Sequence, residues 1–483
     1  MKYQKIYPKD WANQHPYQHP DEVDKYYANV ANKVSQLILN SQLYSHDMLG
    51  DIAPLSMYLT LWFEDIISGT NIWKTVNNVC MQRYGSKLPF YDTTMYYDDE
   101  PNEQDIRLLL WHYLQTFHEN SQVFNPENSA IGELAKLLCD YFDECYPEAP
   151  ANERLAEYYF NPIIAHDYWA CRKVVEWFAL HSYIMVTGIE ELFYEAQETV
   201  QRSINHLDIQ QVMYSMHMEK AYKKQRTLLS LTPAEWLWHM RECQDEGLAN
   251  MKLSDTRYLE VINKDSQSLY VKDLVSDESF AINVDSWTAD AEIVRMSKKG
   301  LGFVATTMSF GKEIYQCGLL AIPPKMDVER IQQIRLNNEF NQKVYQRFMK
   351  LSNKECLIFY CNLDEFKKII SKLGILDKFT SPLDFIDKGA ISCSTTDGIF
   401  IVRDVECLKT MINPHYNEKS AKEHGHMFMT APDTAPYELT CAIQEAGWLE
   451  DAALASLKGE EYGRKFLQTH RQFITDYFFA QHK

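Results

Sequence analysis

Apolar residues recur along this chain with two different periods, and the change of period divides it. From residue 23 the spacing is helical. Val23, Tyr27, Val30, Val34 and Leu37 form one stripe, which predicts an amphipathic helix. Before it lies an arm in which Tyr7, Trp11 and Tyr17 alternate with Pro8, Pro16 and Pro20, aromatic anchors on an extended backbone. Residues 52–68 are apolar on every side, from Leu55 through Trp62 and Phe63 to Ile67. That predicts a buried helix, ended by Ser68-Gly69-Thr70. Asn102, with Asp105 at the third helical position, marks a further start in a variant of the capping box, and Ile106, Leu110 and Leu114 follow on one face. Helical patterns also cover 127–146, 152–160 and 166–200. The clearest start is Leu231-Thr232-Pro233-Ala234-Glu235-Trp236. Thr232 is placed to cap, Pro233 takes the first helical position, Glu235 reaches back, and Leu231 with Trp236 forms a hydrophobic staple; a helix of about three to four turns is expected.

Near residue 255 the period shortens. The segments 257–263, 268–274, 280–284, 292–296, 301–307 and 314–322 are rich in β-branched and aromatic residues and are separated by turn-like stretches such as Lys298-Lys299-Gly300. Short strands in series with no helix between them predict a small antiparallel β-barrel, SH3-like or similar, closed off by Pro323-Pro324. Beyond it the pattern is mixed: a helix over 326–351, a strand over 355–361, a helix over 363–373, a hairpin of 390–394 and 398–403, a helix from Asp404, and helices over 435–446 and 459–481. The expected fold class is α+β. A helical N-terminal domain with its arm occupies 1–250, the barrel 251–324, and a mixed α/β region 325–483.

Composition narrows the setting. Of 483 residues, 46% are hydrophobic and 24% charged, which is globular and permits a large core. The N-terminus has no apolar signal region. The nearest approach to a membrane span, Val174–Val186, is short and holds Glu176 and His181. The 11 cysteines include no Cys-x-x-Cys pair, so buried free thiols in a reducing compartment are expected. Together these predict a cytoplasmic protein without membrane contact. The net charge is −19, and residues 51–200 carry 24 acids against 8 bases, or −16. Such a surface repels nucleic acid and suits a basic protein partner.

Several sets of residues bear chemistry. Glu64 and Asp65 interrupt the most apolar helix, where a carboxylate is costly unless paired or functional. Asp105 and His112 lie seven apart on one face of a neighbouring helix and could meet them in a carboxylate–histidine cluster for acid–base work or a metal. The simpler reading makes Asp105 a cap and pairs Glu64 or Asp65 with Arg107 or solvent. Glu235 and His239 share a helix face, but Glu235 is accounted for as a cap. His415, His424 and His426 crowd one polar loop that could hold a metal ion, though such loops are commonly only polar. Lys220, Lys223, Lys224 and Arg226 form a basic cluster beside Tyr222. Arg330, Arg335, Lys343 and Arg347 line the helix after the barrel, as a solvated face or a nucleic-acid contact. The chain lacks Gly-x-Ser-x-Gly, Gly-x-Gly-x-x-Gly and the phosphate-binding Gly-Lys-Ser/Thr loop. No cofactor and no metal is expected.

Tyr7-Pro8-Lys9-Asp10-Trp11, Trp62-Phe63-Glu64-Asp65-Ile66-Ile67-Ser68-Gly69, Leu88-Pro89-Phe90-Tyr91 and Asn102-Glu103-Gln104-Asp105-Ile106-Arg107 resemble a bacterial family of unknown function associated with anaerobic gut bacteria. Similarity extends to the β segment and to Asn413-Pro414-His415-Tyr416, and so over most of the chain. The resemblance implies no activity. The leading expectation is a non-enzymatic interaction or regulatory protein with an acidic helical face. Nucleic-acid association through the barrel and its basic helix, and an enzyme with a site between N-terminal helices, are the alternatives.

Overall fold

The computed structural model describes residues 4–352, apart from 18, 42–49, 118–124, 186–188, 203–208, 223–227, 230 and 288–297. Beyond 352 it describes 358–360, 371–372, 390–393, 399–402, 465–466 and 469–479. The chain divides into two units, 1–253 with 308–313, and 254–307 with 314–483. Helix and antiparallel sheet are both abundant, so the class is α+β. No helix among the described residues is long and apolar enough to cross a membrane.

In the first unit, helix starts follow the capping chemistry of the sequence. After α1 (Pro8–Ala12), α2 spans Glu22–Leu39. Asp21 caps α2 by accepting from Val23 and Asp24, while the Asp24 carboxylate accepts the Asp21 N–H at 2.8 Å. Tyr27, Val30, Val34 and Ile38 are buried along it. The apolar helix α3 (Ile52–Ser68) supplies the centre: Trp62 and Phe63 both pack against Phe142, the latter ring stacked at 4.8 Å. Gly69, at φ 62°, ends α3 in the left-handed region that a β-carbon disfavours. α4 (Ile72–Tyr84), α5 (Glu103–Phe117), α6 (Ser129–Cys145), α7 (Glu153–Phe160) and α8 (Tyr168–His181) follow, then α9 (Ile189–Arg202) and α10 (Ile209–Tyr222).

The capping box predicted at Thr232 and Glu235 is present at the start of α11 (Pro233–Met240). The helix is shorter than the box suggested. Asn71 donates to the Met240 carbonyl, and Glu242 and Cys243 both turn left-handed, so tertiary contact and a sharp turn stop it. Among the described cysteines, Cys80, Cys171 and Cys317 are buried and Cys243 is exposed. Gly247, in the short α12 (Glu246–Ala249), faces the buried ring of Phe310: an added β-carbon would stand 2.4 Å from it and 3.2 Å from the Ala165 carbonyl. Gly247→Ala is therefore expected to destabilise by about 1–3 kcal/mol in urea unfolding; an unchanged midpoint would mean that the ring yields.

The sheet is antiparallel throughout. β1 (Lys252–Leu253) and β2 (Arg257–Lys264) both pair β5 (Gly302–Phe310). β2 also pairs β3 (Ser268–Asp273), and β3 pairs β4 (Ser279–Asn283). β6 (Glu313–Ala321) lies on β5. Leu259, Val261, Leu269, Val271, Ile282 and Phe303 form the core of this unit, with Trp287. The expected barrel is not formed, and this corrects the SH3-like reading: the sheet stays open, with no ladder between β4 and β6. After Asn283 the chain enters a 3-10 turn, Val284–Ser286, which ends β4. The edges then approach through a side chain, the Gln316 N–H donating to Ser286 Oγ at 2.9 Å. The predicted strand 292–296 lies outside the described residues.

α13 (Val328–Ser352) follows the sheet. The predicted hairpin is present as β8 (Ala390–Cys393) against β9 (Ile399–Val402), with β7 (Ile358–Tyr360) parallel to β9. α14 (Arg471–Phe479) lies within the last predicted helix. Of the expected helix over 363–373 only 371–372 are described, and both are helical. The expected helices from 404 and over 435–446, and the histidine loop with His415, His424 and His426, lie outside the described residues, as do Lys223, Lys224 and Arg226.

Candidate functional sites: a buried carboxylate network and a lysine-rimmed groove

The two acids of α3 are both buried, and they serve two different helix starts. Asp65 accepts the N–H groups of Ile72 and Trp73 at 3.1 and 2.7 Å, and so caps α4. It also accepts the hydroxyls of Thr70 and Tyr183. Burial pushes its carboxyl above the usual range, and these donors pull it back. Glu64 reaches the other way. Its Oε1 accepts the Asn152 amide at 2.8 Å, and its Oε2 lies 3.0 Å from His15 Nε2 in a buried pair. Asn152 is itself the N-cap of α7, accepting from Leu155.

The network continues outward through the arm. Asn152 also donates to the Tyr17 hydroxyl, which donates to Asp24 at 2.9 Å. Arg154 pairs with Asp24 and Asp21 and lies 3.6 Å over the Tyr17 ring. The arm is thus held at His15 and Tyr17 by a chain of bonds from solvent to the middle of α3. A cavity of about 20 Å³ adjoins it, bounded by His15, Glu64, Asp65, Ser182 and Tyr183. That is room for roughly one water, with the buried Ser182 hydroxyl turned to it.

Asp105 and His112 occupy α5. Asp105 accepts the Tyr96 hydroxyl at 2.7 Å and the Asn102 amide at 3.3 Å; burial raises its carboxyl to about 7. His112 is buried, and burial lowers it to about 3. Trp73 stands between the pairs, with its backbone N–H on Asp65 and its indole beside Asp105. Arg107 pairs with Glu103 at 2.6 Å rather than with either acid of α3. Among the described residues no three His, Cys, Asp or Glu side chains converge to hold a metal. Glu235 is held in its capping box, and His239 Nδ1 lies 3.5 Å from Cys243 Sγ, a contact across the left-handed turn that follows α11. His15 and Asn152 carried no signal in the sequence, and Tyr17 was marked only as an aromatic anchor of the arm, because their separations from Glu64 are closed only by the fold.

The second unit offers a groove of about 820 Å³ at the start of α13. Asp327 caps that helix by accepting the Arg330 N–H at 2.9 Å. The floor is apolar, with Leu274, Leu301, Met326 and Ile331. Val328 and Leu336 add apolar surface that is 64% and 50% exposed. Lys298, Lys299 and Lys325 stand on its rim, exposed and without an ion pair among the described residues. Glu260 and Glu339 also line it, the latter 3.7 Å from Lys343. Of the basic helix residues, Arg335 is engaged: it donates to the Leu274 carbonyl and pairs with Asp277 at 2.8 Å. Arg330 is exposed, and Arg347 lies on α13 with its side chain outside the described residues.

Together the fold and sites describe an α+β protein in which a helical unit clasps its own N-terminal arm and a sheet unit carries an open groove. The chain belongs to the family described as Protein of unknown function (DUF3843), whose model matches residues 5–285 and 315–480. The Glu64 network lies wholly inside the match, whereas Lys298 and Lys299 fall in the interval between its two parts. No curated protein and no solved structure matches the chain.

Proposed function

We propose that the protein is a non-enzymatic binding protein that receives an acidic, partly apolar segment of a protein partner in the groove of its second unit. One observation carries this reading: an apolar floor of ligand-sized volume rimmed by three lysines that lack carboxylate partners among the described residues. The carboxylate network supports it indirectly. Asp65 accepts four donors, and the space beside the network admits a water rather than a substrate. Nucleic acid is the less favoured occupant, since among the described residues no aromatic side chain lines the groove for bases to stack on and the net charge is −19.

The test is fluorescence anisotropy of a labelled peptide alternating Glu and Leu, titrated with the full chain. Binding that weakens with salt, and falls roughly tenfold or more on combined Lys298→Glu, Lys299→Glu and Lys325→Glu substitution, is expected. No binding at low salt would overturn the proposal. So would a single-stranded oligonucleotide that binds more tightly than the peptide and loses affinity in the same variant.

A further inference from the structure

We infer that the segment this groove takes is the 95–100 loop of a second copy of the chain; the inference rests on the reading of the groove just given. The loop is Met95-Tyr96-Tyr97-Asp98-Asp99-Glu100, apolar residues followed by three acids, which is the chemistry the lysine rim and apolar floor would recognise. Its large side chains are displayed: Met95 is 74% and Tyr97 57% exposed. Both present apolar surface directly beside the acidic run.

The loop is also held in one shape. Asn102 accepts the Tyr97 N–H at 3.1 Å and donates to the carbonyls of Tyr97 and Glu100, both at 2.8 Å. The Tyr146 hydroxyl donates to the Asp99 carbonyl at 3.0 Å. Tyr96 is turned inward onto Asn77 and Asp105, and Lys87 engages Asp98. The backbone is therefore satisfied from behind, while Met95, Tyr97, Asp99 and Glu100 are left facing outward. A ligand loop fixed in advance loses little conformational entropy on docking. Behind it, Asp140, Asp143 and Glu144 of α6 extend the negative surface; Glu100 and Asp140 both help to raise the Asp143 carboxyl, after the effect of its own desolvation. Bringing lysines to this surface relieves that crowding.

Loop and groove are different patches, so the contact between copies is heterologous, and it either closes a ring or continues as an open chain of copies. Sedimentation velocity of the full chain over a roughly hundredfold range of concentration tests it. Concentration-dependent association is expected. It should weaken roughly tenfold or more in an Asp99→Lys, Glu100→Lys variant, and equally in the Lys298→Glu, Lys299→Glu, Lys325→Glu variant. Mixing the two variants should restore it, because the reversed loop then meets the reversed groove and the two unaltered patches meet each other. Circular dichroism of each variant checks that it is folded. A monomer at every concentration overturns the inference, and so does a mixture that fails to recover while both variants are folded. In either case continued binding of the Glu–Leu peptide leaves the proposed function standing, whereas loss of both removes the two together.

Discussion

Replacing Glu64 with alanine is expected to lower the stability of the helical unit by about 2–4 kcal/mol, the cost of leaving a buried amide without its acceptor together with the void the side chain leaves. The effect is large because two buried groups and the packing beside the cavity depend on that carboxylate. His15 would lose the buried side chain it lies against, Asn152 would lose an acceptor that helps to orient the cap of α7, and a void would open beside the existing cavity. For a unit of this size the transition would fall by roughly 10 °C. Glu64→Gln keeps the volume and one acceptor and should cost less. Removing His15 together with Glu64 should cost less than the sum of the single losses, since the two buried side chains are in direct contact at 3.0 Å and share one site. Urea unfolding of the three variants decides the matter: a loss below about 1 kcal/mol in Glu64→Ala would show that the network does not hold the arm.

The second expected result concerns acid and base rather than contacts. Asp105 titrates at about 7 in the folded chain, against about 4 when unfolded. Between those values the folded state keeps a proton that the unfolded chain has released, so this group's contribution to stability falls as pH rises from 4 to 7. His112 acts in the opposite sense. It binds a proton in the unfolded chain below about 6.5 but in the folded chain only below about 3, so its contribution is lost as pH falls through that window. From about pH 4 to 6.5 the two slopes cancel, because each state holds one proton on the pair. Asp105→Asn removes one slope and leaves the other. Relative to the parent, the variant should gain roughly 4 kcal/mol between pH 4 and pH 7, three pKa units at about 1.4 kcal/mol each. Groups common to both proteins cancel in that difference. Parallel pH profiles for parent and variant would show that Asp105 is not buried as a neutral acid.

Both results depend on groups whose burial was legible but whose partners were not. That Glu64 and Asp65 sit within an apolar helix can be read from the residues around them. The pairing of Asp65 with the start of α4 is local, a few residues on, and Gly69 with Thr70 marked the turn that brings it back. The pairing of Glu64 with Asn152 and His15 is distant, and neither partner stands in a pattern that singles it out. Asn102 illustrates a different limit. It stands where a cap would, yet its side chain serves the preceding loop, a choice set by the backbone of residues 97–100.

By itself the sequence determined where several elements start, because caps, glycine ends and apolar periodicity act over one to four residues: the Asp21 box before α2, the Thr232 box before α11, and the strand run from Arg257 are of this kind, whereas α4 and α10 carried no such mark. The tertiary structure alone decided that the sheet stays open, that α11 stops at Met240, and which acid meets which helix. Those outcomes are settled by long-range closure, where one carbonyl, one side-chain oxygen or one left-handed turn selects among arrangements that the local pattern leaves equal.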